Sequence, residues 1–253
     1  MLDIERKAKI IELLHHDGRV EVNNLAKMFK VTGATIRRDL NQLEKEGVLQ
    51  RAHGGGVLKK GTLAEPSFTS QLKKATEEKE QIAAEAVKHI KPGESIFLDS
   101  SSTVLQIAKY LDKESHLFVV TNSLYIANEL TQYPNIELIM LGGLLRYDSK
   151  TLVGPLTEKN IKDFKIDKAF LGISAINKKG ELTDPNIYEA NMKKNIIEMA
   201  QEVIGVADSS KFNKESFSFI ATVSKLSKMI IDRATTVDSI QLLKNHGVEV
   251  IIA

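Results

Sequence analysis

The chain has 253 residues, 42% of them apolar, a formal net charge of +2 and no cysteine. That length and apolar content suffice for one large packed core or two unequal ones. The missing cysteines exclude disulfides, thiolate metal sites and cysteine nucleophiles, and no apolar run approaches the ~18 residues of a membrane span.

The N-terminal stretch mixes acids and bases where a secretory signal would be basic and then apolar, so a cytoplasmic protein is expected. The six histidines (His15, His16, His53, His89, His116, His246) show no metal-ligand spacing, and neither a metal nor a cofactor is expected. Charge is uneven along the chain. Residues 1–29 balance five Lys/Arg against five Asp/Glu, residues 30–60 hold seven against three, and the remainder holds 23 against 25. A local basic excess of this kind attracts phosphate backbones, although by itself it fits any solvated face.

Residues 3–16 place Ile4, Ile10, Ile11, Leu13 and Leu14 at helical spacings before the stop at Asp17-Gly18. A second short helix carries Leu25, Ala26 and Phe29 on one face, and Val31-Thr32-Gly33 breaks the chain before a third helix that Thr32 can cap. At roughly 100° per residue, Ile36, Leu40 and Leu43 of that third helix face the core, so Arg38 points away, with Thr35 and Arg37 beside the exposed arc. Asp39 falls near the buried edge, where it can orient an arginine. Gly47 ends the helix. Residues 48–53 read as a strand, Gly54-Gly55-Gly56 as a loop whose amides can approach a phosphate, and Val57-Leu58 as a second strand. Helix, turn, helix and β-wing together predict a winged helix-turn-helix over residues 1–58, with Thr32, Thr35, Arg37, Arg38, Arg51 and His53 as DNA-contacting candidates and Lys59 and Lys60 near phosphates.

Arg6, Ile10, Leu14, Thr32 and the run Thr35-Ile36-Arg37-Arg38-Asp39-Leu40, followed by Gly47 and Arg51-Ala52-His53-Gly54-Gly55, resemble the signature of the DeoR family of bacterial regulators. The resemblance implies that the module reads a double-stranded DNA operator.

Residues 59–76 are polar, contain Pro66 and show no sustained period, which predicts a linker. From residue 77 helical patterns alternate with seven short β-rich runs: 95–98, 118–121, 137–141, 168–172, 202–207, 228–231 and 248–252. The alternation predicts a larger, mainly parallel α/β domain over 77–253, whose ligand site should lie in the loops after the strands. Three such loops are rich in hydroxyls and amides: Asp99-Ser100-Ser101-Ser102-Thr103, Thr121-Asn122-Ser123 and Asp208-Ser209-Ser210-Lys211. Hydroxyls and amide groups at helix N-termini suit an anion, to which Lys211 adds a charge; in any single loop the same residues serve as ordinary helix caps.

The DeoR resemblance extends over this half, through Leu98-Asp99-Ser100, Thr121-Asn122-Ser123-Leu124, Leu141-Gly142-Gly143, Val153-Gly154-Pro155, Asp167 to Gly172, Pro185-Asn186 with Glu189-Ala190, and Ala207 to Phe212. Gln71 stands where an arginine is common, and Ser101 where a glycine is common. The resemblance implies an effector domain similar to ribose-5-phosphate isomerases that senses a phosphorylated sugar, with Asp99, Ser100, Ser101, Ser102, Thr103, Thr121, Asn122, Ser123, Glu189 and Lys211 as effector-binding candidates. The competing reading is a sugar-phosphate isomerase. Where such enzymes carry two catalytic aspartates, this chain has Ser174 and Asn177, neither a carboxylate base; Asp99, Glu189 and Asp208 remain near the expected pocket. The resulting expectation is a repressor of a carbohydrate operon, with an operator, a small phosphorylated sugar and further copies of the same chain as partners, and no membrane.

Overall fold

The computed structural model describes residues 3–45, 49–52, 54–58 and 67–253, and the chain divides into two compact units, Met1–Lys73 and Lys74–Ala253. The expectations for Gly47, His53, Lys59, Lys60 and the first part of the linker lie outside the described residues.

In the first unit α1 (Asp3–Asp17), β1 (Arg19–Glu21), α2 (Val22–Phe29) and α3 (Gly33–Lys45) precede a hairpin of β2 (Leu49–Ala52) and β3 (Gly55–Leu58), and α4 (Phe68–Leu72) follows. The core is built from the faces that periodicity selects: Ile10 and Leu14 of α1, Leu25 and Phe29 of α2, and Ile36, Leu40 and Leu43 of α3, joined by Val20, Val22 and Leu49. The turn between α2 and α3 is made by Lys30, whose left-handed φ of 53° ends α2, and by Thr32, whose Oγ1 accepts from the Thr35 amide at 3.2 Å and caps α3.

The wing differs from the two-stranded expectation. β1 pairs antiparallel with β3, which becomes the central strand of a three-stranded sheet ordered β1-β3-β2. Gly55 and Gly56 therefore lie within a strand. A Cβ on Gly55 would fall 1.9 Å from the Val20 carbonyl oxygen, so the glycine is required by the close approach of β1. The β1 segment is three residues long, below the length at which alternation is readable.

The second unit contains α5 (Thr76–Ala86), β4 (Ser95–Leu98), α6 (Ser102–Tyr110), β5 (Leu117–Thr121), α7 (Leu124–Leu130), β6 (Ile136–Met140), β7 (Leu144–Arg146), β8 (Thr151–Val153), α8 (Pro155–Ile161), β9 (Ile166–Gly172), β10 (Ala175–Ile176), β11 (Glu181–Asp184), α9 (Ile187–Met199), β12 (Ala200–Ala207), β13 (Ser218–Thr222), β14 (Lys228–Ile231), α10 (Val237–Asn245) and β15 (Glu249–Ile252). Seven strands form one sheet in the order β15-β14-β12-β9-β4-β5-β6, and every pairing in it is parallel. These are the seven runs read from the sequence. Residues 168–172 of β9, the central strand, are all buried, so both faces of the sheet are covered at its centre. Beside the sheet stand the antiparallel set β10-β11-β13 and the hairpin β7–β8, both additional to the expectation.

Gly55→Ala should therefore destabilise the N-terminal unit by about 2 kcal/mol, the cost of forcing backbone apart in a packed sheet. Calorimetry of the full chain would register this as a lowered transition; an unchanged thermogram would contradict the β1–β3 pairing.

Candidate DNA-binding surface and sensor site

On the first unit, Thr32, Arg37 and Arg38 are exposed, and Thr35 is half-buried. The two threonine hydroxyls lie 3.0 Å apart and bond to each other at the start of α3. Arg37 extends back over Gly33, and Arg38 projects opposite Ile36 and Leu40. Asp39, only 1% exposed, receives the guanidinium of Arg6 through Nε at 2.6 Å and Nη2 at 3.1 Å. This bidentate pair ties α1 to α3 and fixes the roll of the helix that presents Arg37 and Arg38. Arg51 is half-buried on β2: its amide donates to Glu44 Oε1 at 2.8 Å, and its Nη1 is buried without a hydrogen-bond partner among the described residues.

On the second unit, the loop candidates lie at the ends of strands of the parallel sheet or open the helices after them, while Glu189 lies in the first turn of α9, after β11 of the antiparallel set. Asp99, just past β4, accepts from the Ser101 amide and, on its other oxygen, from the Gly172 amide at the end of β9, each at 2.9 Å. Ser101 caps α6 by accepting from the Val104 amide at 3.1 Å. Its side chain fills the space where a Cβ on Gly172 would fall, 2.0 Å from Ser101 Oγ. The side chain at 101 is thus matched by the glycine at 172. Ser102 and Thr103 are buried in the first turn of α6. Thr121 Oγ1 donates to the Leu98 carbonyl at 2.7 Å and holds the two strand ends together. Ser123 caps α7. Asn122 exchanges backbone and side-chain bonds with Leu152 of β8, tying the β7–β8 hairpin to the end of β5; its Oδ1 is buried without a hydrogen-bond partner among the described residues.

Three charged residues complete this site without having been singled out by sequence reasoning. Lys193 of α9, 6% exposed, donates to the Gly172 carbonyl at 2.9 Å and to Asp184 Oδ2 at 3.0 Å, and stands 3.8 Å from Asp99 Oδ2. Asp184, at the end of β11, also accepts from Ser174 Oγ at 2.8 Å. Arg146, at the end of β7, donates from Nη1 to Glu189 Oε1 at 2.7 Å, while Glu189 Oε2 accepts from Ser100 Oγ at 3.3 Å. The signal that could have found Lys193 is its spacing: it shares a helix face with Glu189, Ala190 and Ile196, where a lysine without a buried partner would be costly.

Burial lowers the Lys193 ammonium's pKa, yet the carboxylates of Asp184, Asp99 and Glu189 outweigh it and hold the pKa well above the usual lysine range. Burial alone raises Asp184, but Lys193, the Asn186 amide and Ser174 keep it below the ordinary carboxylate value. Asp99 is pushed up, chiefly by burial. Burial and the Asp184 charge push Glu189 up to about 7.

Lys211, half-buried after β12, has its pKa lowered by burial despite Asp208, with Lys214, Lys74 and Lys193 lowering it further. Lys79 of α5, 2% exposed, donates to the Lys74 carbonyl at 2.6 Å and is lowered to about 8 by burial and by the Lys211 charge. Lysines within electrostatic reach of one another and with lowered pKa values favour an anion beside them. Two surface clefts, one walled by Lys178, Asn213 and Lys214 and the other by Phe212, Thr236 and Ser239, include none of the candidate residues.

Since Glu189 holds a proton in the folded protein that the unfolded chain releases near 4.5, its contribution to stability is present at low pH and is lost as pH rises from about 4.5 to about 7. Glu189→Gln should leave stability at pH 5 nearly unchanged and raise it at pH 8 by up to about 3 kcal/mol relative to the parent chain, as read by urea unfolding at the two pH values. Equal effects at both pH values would contradict this ionisation.

Comparison with known proteins gives the family of the chain. The DeoR-like helix-turn-helix domain matches residues 6–62, and the DeoR C terminal sensor domain matches residues 74–233. The chain is 35% identical to the HTH-type transcriptional regulator GlpR of Haloferax volcanii, covering 99% of this chain and 98% of that one. It is 34% identical to the HTH-type transcriptional regulator GolR of Listeria innocua over the full length of both. The glycerol-3-phosphate regulon repressor of Escherichia coli (strain K12) is 33% identical, with 98% of each chain covered. Among solved structures, ribose 5-phosphate isomerase A of Methanocaldococcus jannaschii matches 53% of each chain at a TM-score of 0.40 and 23% identity, too remote to bear on function. With both of its units matched in order and relatives aligned from end to end, the chain belongs to the DeoR family of transcriptional regulators.

Proposed function

We propose that the chain is a cytoplasmic, operator-binding repressor of genes for carbohydrate metabolism, relieved when its C-terminal unit binds a small phosphorylated sugar. The observation that carries this reading is the presence on one chain of a DeoR-like helix-turn-helix, with Arg37 and Arg38 exposed on α3, and a DeoR sensor domain whose strand-end loops gather hydroxyls, amides and lysines. The relatives named above as a glycerol-3-phosphate regulon repressor and as transcriptional regulators support it.

In this reading α3 enters the major groove. Arg38 and Arg37 take guanine edges or phosphates, Thr32 and Thr35 contact the backbone at the helix N-terminus, and Arg51 and His53 of the wing reach flanking phosphates. Two copies related by a two-fold axis read the two halves of the operator. The effector's phosphate sits between the Ser100–Thr103 loop and Lys211, with Lys79 adding charge, while Asp99, Thr121, Asn122, Ser123 and Glu189 shape the sugar side.

Turnover is not part of the proposal. Ser174 is committed to Asp184, and Asn177 donates to Glu181 Oε2 at 2.6 Å while its Oδ1 accepts from the Lys179 and Glu181 amides, so neither supplies the base that aldose–ketose exchange needs.

Arg38→Ala should weaken binding to a duplex selected by the protein from random sequence by about 10- to 100-fold, while ligand-induced thermal stabilisation persists. Lys211→Ala should leave the duplex affinity within twofold and raise the sugar-phosphate concentration needed for release by about tenfold. Fluorescence anisotropy measures both. Retained affinity in the first variant would remove α3 from the groove, and an undiminished ligand response in the second would remove Lys211 from the sensor site. Incubation with pentose and hexose phosphates should give no interconversion.

A further inference from the structure

Glu189 lies in the first turn of α9 and is 7% exposed. The groups that hold its carboxylate are those an anionic ligand would recruit: the Arg146 guanidinium at 2.7 Å, the Ser100 hydroxyl of the β4–α6 loop at 3.3 Å, and the charge of Lys193 one turn further along the helix. An internal carboxylate thus stands where a ligand's anion would stand. The hairpin that carries Arg146 offers an independent observation. Asn122, which ties it to β5, has a buried Oδ1 without a hydrogen-bond partner among the described residues, and so does Ser149 Oγ in the turn between β7 and β8. Buried polar atoms left unpaired cost about 1–3 kcal/mol each, and a bound polar molecule is one means of satisfying them.

We propose that Glu189 is a built-in competitor for the ligand's anionic group and that Arg146 is the cation it surrenders: a compact dianion entering beside Ser100 takes over the Arg146 guanidinium. The ligand class is a phosphate ester bearing hydroxyls, and the inference rests on reading the C-terminal unit as an anion sensor. It adds Arg146, which that reading does not use.

The exchange is balanced by one proton. Arg146 stays charged throughout, and Glu189 passes from carboxylate to carboxylic acid by taking a proton from solvent. The groups that face it are Arg146 from β7, Ser100 from the β4–α6 loop, Asp184 from β11 and Lys193 on its own helix, with Asp99 reached through Lys193. Burial and Asp184 already bring its pKa up to about 7, and an arriving dianion raises it further, so the neutral form is accessible near neutrality. Affinity for a dianion should therefore fall as pH rises through 7.

Sulfate tests this on the full chain, because it stays dianionic from pH 6 to 8 and has no hydroxyls to bind. In titrations at matched ionic strength, sulfate should bind the parent chain about fourfold more tightly at pH 6.0 than at pH 7.5, the ratio expected when only the neutral carboxyl permits binding. Glu189→Gln should bind at pH 7.5 as tightly as the parent does at pH 6.0, with the pH dependence gone. Arg146→Gln should lose at least tenfold at both pH values, and Arg146→Lys, which keeps the charge without the fork, should recover part of that loss. Weaker sulfate binding by Glu189→Gln, or unchanged binding by both Arg146 variants, would overturn the exchange while leaving an anion site in place. Absence of sulfate binding by the parent chain at either pH would overturn the anion-sensor reading and this inference with it.

Discussion

One ammonium group organises the edge of the parallel sheet at which the candidate sensor site lies. Lys193 Nζ reaches from α9 to the last carbonyl of β9 and to the carboxylate closing β11, and it neutralises Asp99, which in turn receives the amides of Gly172 and Ser101. The ends of β4, β9 and β11 and the cap of α6 thereby share one buried charge. Burying such a cluster roughly breaks even against an apolar substitute, so its value lies in geometry more than in net stability. The carboxylates keep Lys193 protonated at any pH where the protein works, and that permanence lets its neighbours differ from one another. Asp184 is held ionised, while Glu189, further from the ammonium's hydrogen bonds, is left near 7.

The large-scale architecture was legible because its forces are periodic. The inner strands of a covered parallel sheet must be largely apolar runs, and all seven strands of the sheet were visible in the sequence, from 168–172 at the centre to 248–252 at an edge. The same holds for α3, where Ile36, Leu40 and Leu43 define the buried face and so define Arg38 as outward. Elements without a period were lost. Among them, β1 is three residues long and gains its place only through pairing with β3, and that pairing turned the expected glycine loop into a strand packed on Val20. The hairpin β7–β8 and the set β10-β11-β13 are likewise built from short strands, in which alternation is hard to read.

The site was legible in its hydroxyl and amide loops, because strand ends and helix caps advertise themselves through residue type. Its charged members were not. Arg146 sits in an ordinary-looking Leu-Leu-Arg-Tyr stretch, and Lys193 is followed by Lys194, which together resemble a solvated face. What makes Arg146 and Lys193 special is the carboxylate each meets, 43 residues away for Arg146 and up to 94 for Lys193, and one sequence does not display that pairing. Asp39 is the instructive exception. Its position on the buried edge of α3 demanded a cation, and Arg6 supplies it.

The account joins two halves: a basic helix that reads DNA and an anion site that regulates it. Allosteric coupling of this sort amounts to about 1–3 kcal/mol, a five- to hundredfold change in affinity. The decisive measurement is the affinity of the full chain for its selected duplex, titrated with and without a sugar phosphate already shown by thermal shift to bind. The account predicts at least about fivefold weaker DNA binding in the presence of that ligand. A ligand that occupies the C-terminal unit and leaves the duplex affinity unchanged would contradict it.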